Sequence, residues 1–359
     1  MAFTDQFPIL NTCTYLNTAS SGLLSQSQVD WRTSHDLEFL THGSGFRVKQ
    51  AEFLQEVKRN VADFFKAKAV NTFLVPNFSF GFNTLLSGLA SKQRFLLLKE
   101  DYPSVNYAIE VRGNICDYVP LTVDLEQHIV EKIKEFKPTV FVFSLVQYIS
   151  GIKVDLSFLK DLKRSFPELL IVADGTQFCG SEEFDFEDSG LDVLISSGYK
   201  WMLSGYGNGF VLLKDQAVEL LYDGARNRPT PKEPFLAGRP ILATFFEPGH
   251  LDTLAFGTLN KSIEFFKTID FPKTTFEAQS IAKRAKEAFN SLNLLQDTVA
   301  KRPVHSNILS LSGDIKLYHE LTQENIICLP RGNGIRIAFH IYNTYQDLEI
   351  LLNILKNNY

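Results

Sequence analysis

The chain has 359 residues, 45% hydrophobic and 21% charged, which gives room for about two domains and a large core and argues against disorder. A net charge of −5 argues against a nucleic-acid-binding footprint, which needs a basic face. The longest apolar runs, such as 140–143, are far too short to span a bilayer, and the first basic residue is Arg32, so neither a membrane helix nor a signal peptide is expected.

In chain order, residues 48–65 place Ala51, Phe53, Leu54, Val57, Val61, Phe64 and Phe65 on one helical stripe. Buried strands are expected at 94–99, 140–146, 169–173, 193–196 and 209–213, with an amphipathic helix at 157–166. A second helix is expected over 84–89. From about Leu251 the pattern changes to two long helices, 253–268 and 274–292, joined by a turn containing Pro272. Strand-like pieces at 308–312 and 335–339 and a closing helix at 345–355 follow. Such alternation predicts an α/β fold. Residues 16–250 form a large domain with a mixed, mostly parallel sheet flanked by helices. Residues 1–15 plus 251–359 supply an N-terminal arm, a linking helix and a smaller α+β domain.

Cys13, Cys116, Cys179 and Cys328 are scattered without CxxC spacing, and His305, His340 and the other histidines show no ligand spacing. The cysteines read as reduced, mostly buried thiols of a cytoplasmic protein, and no metal is expected. The acidic stretch 181–188 reads as a solvated connection. Gly205-Tyr-Gly207-Asn-Gly209 precedes a strand instead of following one, so it reads as a close backbone turn and not as a dinucleotide loop.

Ligands of doubly wound sheets bind outside the carboxyl ends of the strands. The expected strands end in Glu100-Asp101-Tyr102-Pro103-Ser104, in Asp174-Gly175-Thr176-Gln177 and in Ser197-Gly198-Tyr199-Lys200-Trp201. Singly, such residues serve as caps, turns and surface charges. Together they place a carboxylate, an amine and an aromatic ring where they could share one crevice.

The ordered pair Asp174-Gly-Thr-Gln177 and Ser196-Ser-Gly-Tyr-Lys200-Trp201 resembles the class V family of fold-type I enzymes dependent on pyridoxal 5′-phosphate. That family includes cysteine desulfurases, kynureninases, isopenicillin-N-epimerase-like proteins and several aminotransferases. The likeness starts at Tyr15-Leu-Asn-Thr-Ala-Ser-Ser-Gly-Leu-Leu24 and ends at Arg336-Ile-Ala-Phe-His-Ile-Tyr-Asn-Thr344. It implies that Lys200 forms the Schiff base with the cofactor and that Asp174 keeps the pyridine nitrogen protonated. It further implies that Gln177 contacts the phenolic oxygen and that Tyr102 stacks on the ring.

For the phosphate, the likeness points to the turn Asn77-Phe78-Ser79-Phe80-Gly81, with Ser79 and Phe80, and to Ser197 and Tyr199. Phe246-Glu-Pro-Gly-His250 resembles the segment that reaches the neighbouring subunit's phosphate, which implies a homodimer with a shared active site. His250 stands where a Thr is more usual. Arg336 is the expected clamp for the substrate α-carboxylate. Ser20, Ser21, Arg47, Tyr148 and Arg331 are candidate specificity residues. Tyr148 and Ser150 precede Gly151 where the family usually has an Asn near the cofactor oxygen.

Desulfurases of the family need a mobile nucleophilic Cys just before the carboxylate-binding Arg. Cys328 lies in an apolar, strand-like run with a short connection to Arg336, so a buried structural thiol is expected. The expectation is an aminotransferase acting on small amino acids and keto acids. A lyase or epimerase without a loop Cys is the alternative, and a non-catalytic protein of this fold is the third.

Overall fold

A computed structural model describes residues 3–358 apart from 227, 230–232 and 234–237. Its strands, in chain order, are β1 (Thr14–Tyr15), β2 (Thr72–Val75), β3 (Arg94–Leu98), β4 (Ile115–Val119), β5 (Val140–Ser144), β6 (Leu170–Asp174), β7 (Val193–Ser197), β8 (Gly209–Leu213), β9 (Ile308–Ser312), β10 (Ile326–Ile327), β11 (Leu329–Arg331) and β12 (Gly334–Ala338). Seven of them form a central sheet in the order β2-β8-β7-β6-β5-β3-β4. From β4 to β7 the strands are parallel, while β8 runs antiparallel to both β7 and β2. This is the expected mixed, mostly parallel sheet.

Burial on both faces explains why these strands read as unbroken apolar runs. Leu96, Phe141, Phe143, Ile171 and Leu194 enter one apolar cluster. Their neighbours Phe95, Val140, Val142, Val172 and Val193 enter a second cluster on the opposite face. The period-2 alternation of strand side chains thus splits the core into two layers.

The early helices are α1 (Gln26–His42), α2 (Gln50–Phe64), α3 (Phe78–Gly88), α4 (Pro103–Glu110), α5 (Leu125–Phe136) and α6 (Leu156–Ser165). Within the expected 48–65 helix, α2 starts only at Gln50, because a 3-10 stretch, Gly43–Lys49, precedes it. The helix expected at 84–89 is the second half of α3, whose first turn lies over the strand ends. Later helices span Thr253–Thr268, as expected, and Phe271–Ser291. Pro272 sits inside the first turn of the latter instead of in the connection, since a helix start tolerates its missing N–H. The chain closes on Tyr345–Asn358.

A separate antiparallel sheet orders β11-β12-β9, and β1 pairs in parallel with β10, tying the start of the chain to this later part. The four cysteines are free thiols; Cys179 and Cys328 are buried, whereas Cys13 and Cys116 are only half-buried. Among the described residues no helix is long and apolar enough to cross a membrane, and no cluster of metal-ligating side chains occurs.

The strand order reverses once. The chain passes from β3 outward to β4 and returns across β3 to β5, which opens a crevice at the carboxyl ends of β3 and β5.

Candidate active site

A cavity of about 460 Å³ opens at these carboxyl ends. Pro76, Asn77, Phe78 and Ser79 follow β2, Tyr102 follows β3, and Ser144, Val146 and Tyr148 come from the end of β5. Asp174, Thr176 and Gln177 come from β6, and Ser197, Tyr199 and Lys200 from β7. The volume suits a small cofactor with its substrate.

Asp174 is the last residue of β6 and is buried; its Oδ1 accepts the Thr176 backbone N–H at 2.8 Å. Desolvation pushes its carboxyl above the ordinary range, with the Thr176 bonds and the Lys200 charge opposing and Asp101 adding to the rise. Lys200 is also buried, and desolvation lowers its amine below the usual lysine value. Asp174 opposes that fall, whereas Arg336 and Arg331 deepen it. The Lys200 Nζ lies 5.9 Å from the Tyr102 ring centre and 5.4 Å from that of Tyr199. An amine so placed gives up its proton more readily than a surface lysine.

Gln177 is clamped by distant residues. Its Nε2 donates to the Ala19 carbonyl at 2.9 Å, and its Oε1 accepts the Trp201 indole N–H at 2.8 Å. One amide hydrogen is left to point elsewhere. Trp201 is held in turn by His340, whose Nε2 meets the Trp201 carbonyl at 2.9 Å. Asn343 continues the tie by donating to the Tyr15 carbonyl at 3.0 Å. The opening segment around Tyr15–Gly22 and the closing segment 336–344 therefore both brace the Lys200 turn.

At the start of α3, Asn77 Oδ1 caps the Phe80 N–H at 2.9 Å, and the Ser197 hydroxyl accepts the Phe78 N–H at 2.8 Å. Gly81 N–H bonds the Asn77 carbonyl. Ser79 lines the cavity, and among the described residues its N–H and hydroxyl have no partner. Phe80 turns its ring outward and lies outside the cavity lining. Tyr199 stacks on Tyr206, and burial raises its phenol to about 12, so it stays a hydrogen-bond donor at neutral pH.

Arg336 is buried. It donates Nη1 to the Tyr148 carbonyl and Nη2 to the Ser20 hydroxyl, both at 2.6 Å, while its Nε is buried without a partner. Desolvation lowers its guanidinium to about 10, and Arg331 adds to that effect. The Arg331 guanidinium lies 5.7 Å from the centre of the Tyr148 ring. Arg47 and His250 do not join this cavity. The two bond each other at 3.1 Å and line a different cavity, together with Lys58 and Arg239.

Two buried residues in this neighbourhood carry roles that residue patterns did not assign. Asp101 accepts the Tyr102 N–H at 2.6 Å and the Ser144 N–H at 2.7 Å, locking the end of β3 to the end of β5. Gln147 accepts from Ile149 N and Ser150 N, both at 2.7 Å, and shapes the loop that carries Tyr148. A carboxylate directly after a buried strand was the available signal for Asp101. None marked Gln147, which stands one residue before Tyr148 and three before Ser150, the two compared with the family's Asn.

Residues 40–351 match the family described as aminotransferase class-V. A probable cysteine desulfurase of Ureaplasma parvum is 22% identical over 95% of this chain and 92% of its own length. The uncharacterized aminotransferase YcbU of Bacillus subtilis is 21% identical over 96% and 94%. Among solved structures, the apo cysteine desulfurase of Thermococcus onnurineus NA1 superposes with a TM-score of 0.84 at 17% identity, covering 99% of this chain and 97% of that one. The cystine C-S lyase C-DES, in complex with its reaction product cysteine persulfide, does so with a TM-score of 0.83 at 17% identity, covering 98% and 99%.

Proposed function

The chain belongs to the aminotransferase class-V family, and on that premise we propose that it is a pyridoxal-phosphate-dependent aminotransferase acting on a small amino acid through Lys200. The observation that carries this reading is a buried amine and a buried carboxylate facing one cavity beside a helix start with a free donor. The residues fit the cofactor. The Asp174 carboxylate, bonded among the described residues only to Thr176 within its own turn, is one that a protonated ring nitrogen would neutralise. The first turn of α3 offers Ser79 to an anion, and its other early N–H groups are already taken. Pyridoxal phosphate, when bound, supplies an aldehyde that condenses with amines and a ring that accepts the electron pair left when a bond to Cα breaks.

The chain's own residues do the rest. Lys200 Nζ is the amine inside the cavity, and its lowered proton affinity lets it take the proton that leaves Cα and hand it on. Asp174 holds the opposite charge in place. Arg336 lies behind the Tyr148 wall, outside the cavity lining, and its buried planar guanidinium has an Nε–H without a partner among the described residues, a group that suits a carboxylate. Tyr102 and Tyr148 meet edge to face at 5.3 Å and wall off the side of the cavity nearest Arg336. His250 does not reach the cavity of its own chain, which leaves the cavity of a second copy as its place in a homodimer.

Cys328 does not support a thiol mechanism, although cysteine desulfurases are among the similar proteins. Cys328 is buried, burial pushes its thiol up to about 12, and only the two-residue turn Gly332-Asn333 joins β11 to β12. The same constellation serves an elimination with no protein thiol, and the likeness to a cystine C-S lyase favours that as the second reading.

The test is reconstitution of the purified protein with pyridoxal phosphate, followed by absorbance. Lys200→Ala should lose the visible band of the cofactor bound to lysine; an unchanged band would refute the assignment. Asp174→Ala should keep the band and lose turnover by about 100-fold or more. Near-normal rates would refute its role.

A further inference from the structure

Arg331 and Arg336 sit on one face of a tight hairpin. In the antiparallel pair of β11 and β12, Leu329 lies opposite Arg336 and Arg331 lies opposite Gly334. Side chains alternate along a strand, so Arg331, two residues beyond Leu329, shares the face of Arg336. Diagonal neighbours in such a pair lie about 7–8 Å apart, within reach of two long side chains.

The hairpin tip is fixed and faces the cavity wall. Gly332 has φ +59°, and a Cβ there would meet Ile149 Cγ2 at 2.9 Å, so the turn rests on the loop that carries Tyr148. The Arg331 guanidinium lies over the Tyr148 ring, and Tyr148 lines the cavity. Arg336 bonds the carbonyl of that same residue. Among the described residues the arginine ion pairs belong to Arg164, Arg284 and Arg302, and neither Arg331 nor Arg336 has one. Two guanidiniums held together without a carboxylate repel each other, and a bound ligand with two anionic groups relieves that repulsion. Neither arginine lines the cavity itself: Arg336 is buried behind Tyr148 and Arg331 is exposed beside it, so an α-carboxylate at Arg336 would leave Arg331 for a second anion at the cavity mouth.

We infer that the site selects a dicarboxylic amino or keto acid, with Arg336 holding the α-carboxylate and Arg331 the side-chain carboxylate. The inference rests on the amino-acid-processing reading for the first of these contacts. Arg331 also lowers the proton affinity of Lys200 and Arg336, so its charge is felt inside the cavity.

The experiment is calorimetric titration of the cofactor-loaded protein with unreactive ligands. Succinate and glutarate are compared with propionate and butyrate, in wild type and in Arg331→Gln and Arg331→Lys. The dicarboxylates should bind about threefold to fivefold tighter than the monocarboxylates, as a pair with the exposed Arg331 allows. That ratio should collapse in Arg331→Gln and return in part in Arg331→Lys. Equal affinity for the two ligand classes in wild type, or a ratio unchanged in Arg331→Gln, would overturn the inference. Binding needs no turnover, so the two proposals fail separately. Selection of dicarboxylates by a protein that processes no amino acid would sink the aminotransferase reading alone. Processing of neutral amino acids without such selection would sink the dicarboxylate inference alone.

Discussion

Gly22→Ala tests whether the opening segment braces the Lys200 turn. Gly22 donates its N–H to the Tyr199 carbonyl at 2.8 Å. A Cβ at this position would lie 2.0 Å from the Lys200 carbonyl oxygen and 2.9 Å from Leu203 Cδ2. The first of these atoms is backbone and has no rotamer to retreat into, so the two segments must separate by more than an ångström. Overpacking of this kind costs about 1–3 kcal/mol, and a lost hydrogen bond adds about 1 kcal/mol, which places the change at about 2–4 kcal/mol. Ala19 and Ser20 move with Gly22 and loosen the anchors of Gln177 and Arg336, so the KM for the amino acid should rise as well. Urea unfolding measures the stability change as a shift in midpoint at constant slope. Gly224→Ala is the control, because among the described residues nothing lies within 4 Å of its added carbon and the position is helical. It should be neutral or stabilise by up to about 1 kcal/mol. A loss below about 1 kcal/mol for Gly22→Ala would show that the segments are not tightly apposed.

Three further outcomes follow from the buried groups. Because burial lowers the Lys200 amine, its condensation with a simple aldehyde should rise with pH to a midpoint below 10.5. Asp174→Asn should move that midpoint lower still, and a midpoint at the ordinary lysine value would contradict the site's electrostatics. Cys328→Ser should leave turnover within about twofold, since a thiol raised by burial is a poor nucleophile; complete loss of activity in a folded variant would revive a thiol mechanism. His340 is buried and its imidazole is held down to about 3, against 6.5 when unfolded. The unfolded chain therefore takes up a proton below pH 6.5 that the folded chain refuses. Stability falls as pH drops, by about 2 kcal/mol between pH 6.5 and 5 from this residue. Urea midpoints across that range should slope less in His340→Gln, and an equally steep slope would refute the assignment.

Much of the site was legible because buried parallel strands are apolar runs, and the residue that ends each run stands where ligands bind. Asp174, Lys200 and Tyr102 were found in that way, and the structure brings all three to one cavity. Helix α1 escaped because its residues are largely exposed and carry no apolar stripe, though Ser25 and Gln28 cap it reciprocally. Strand β4 lies at the sheet edge with Cys116, Asp117 and Tyr118 only half-buried, so it makes no apolar run. What local pattern cannot carry is contact across the chain. The bond from Arg336 to Ser20 spans 316 positions, and that from Trp201 to Gln177 matters only because Ala19 closes the clamp. His250 shows the same limit from the other side, since its neighbour Arg47 lies 203 positions away.

On the proposed reading this chain removes the α-proton of an amino acid and keeps its amino group. Titration of the cofactor-loaded protein with L-amino acids, aspartate and glutamate included, without any keto acid, tests it most directly. The account predicts loss of the visible band, conversion of the cofactor to its amino form and release of one equivalent of keto acid per site. Repeated turnover with the band restored would instead establish a lyase, and no response to any amino acid would contradict catalysis of this class.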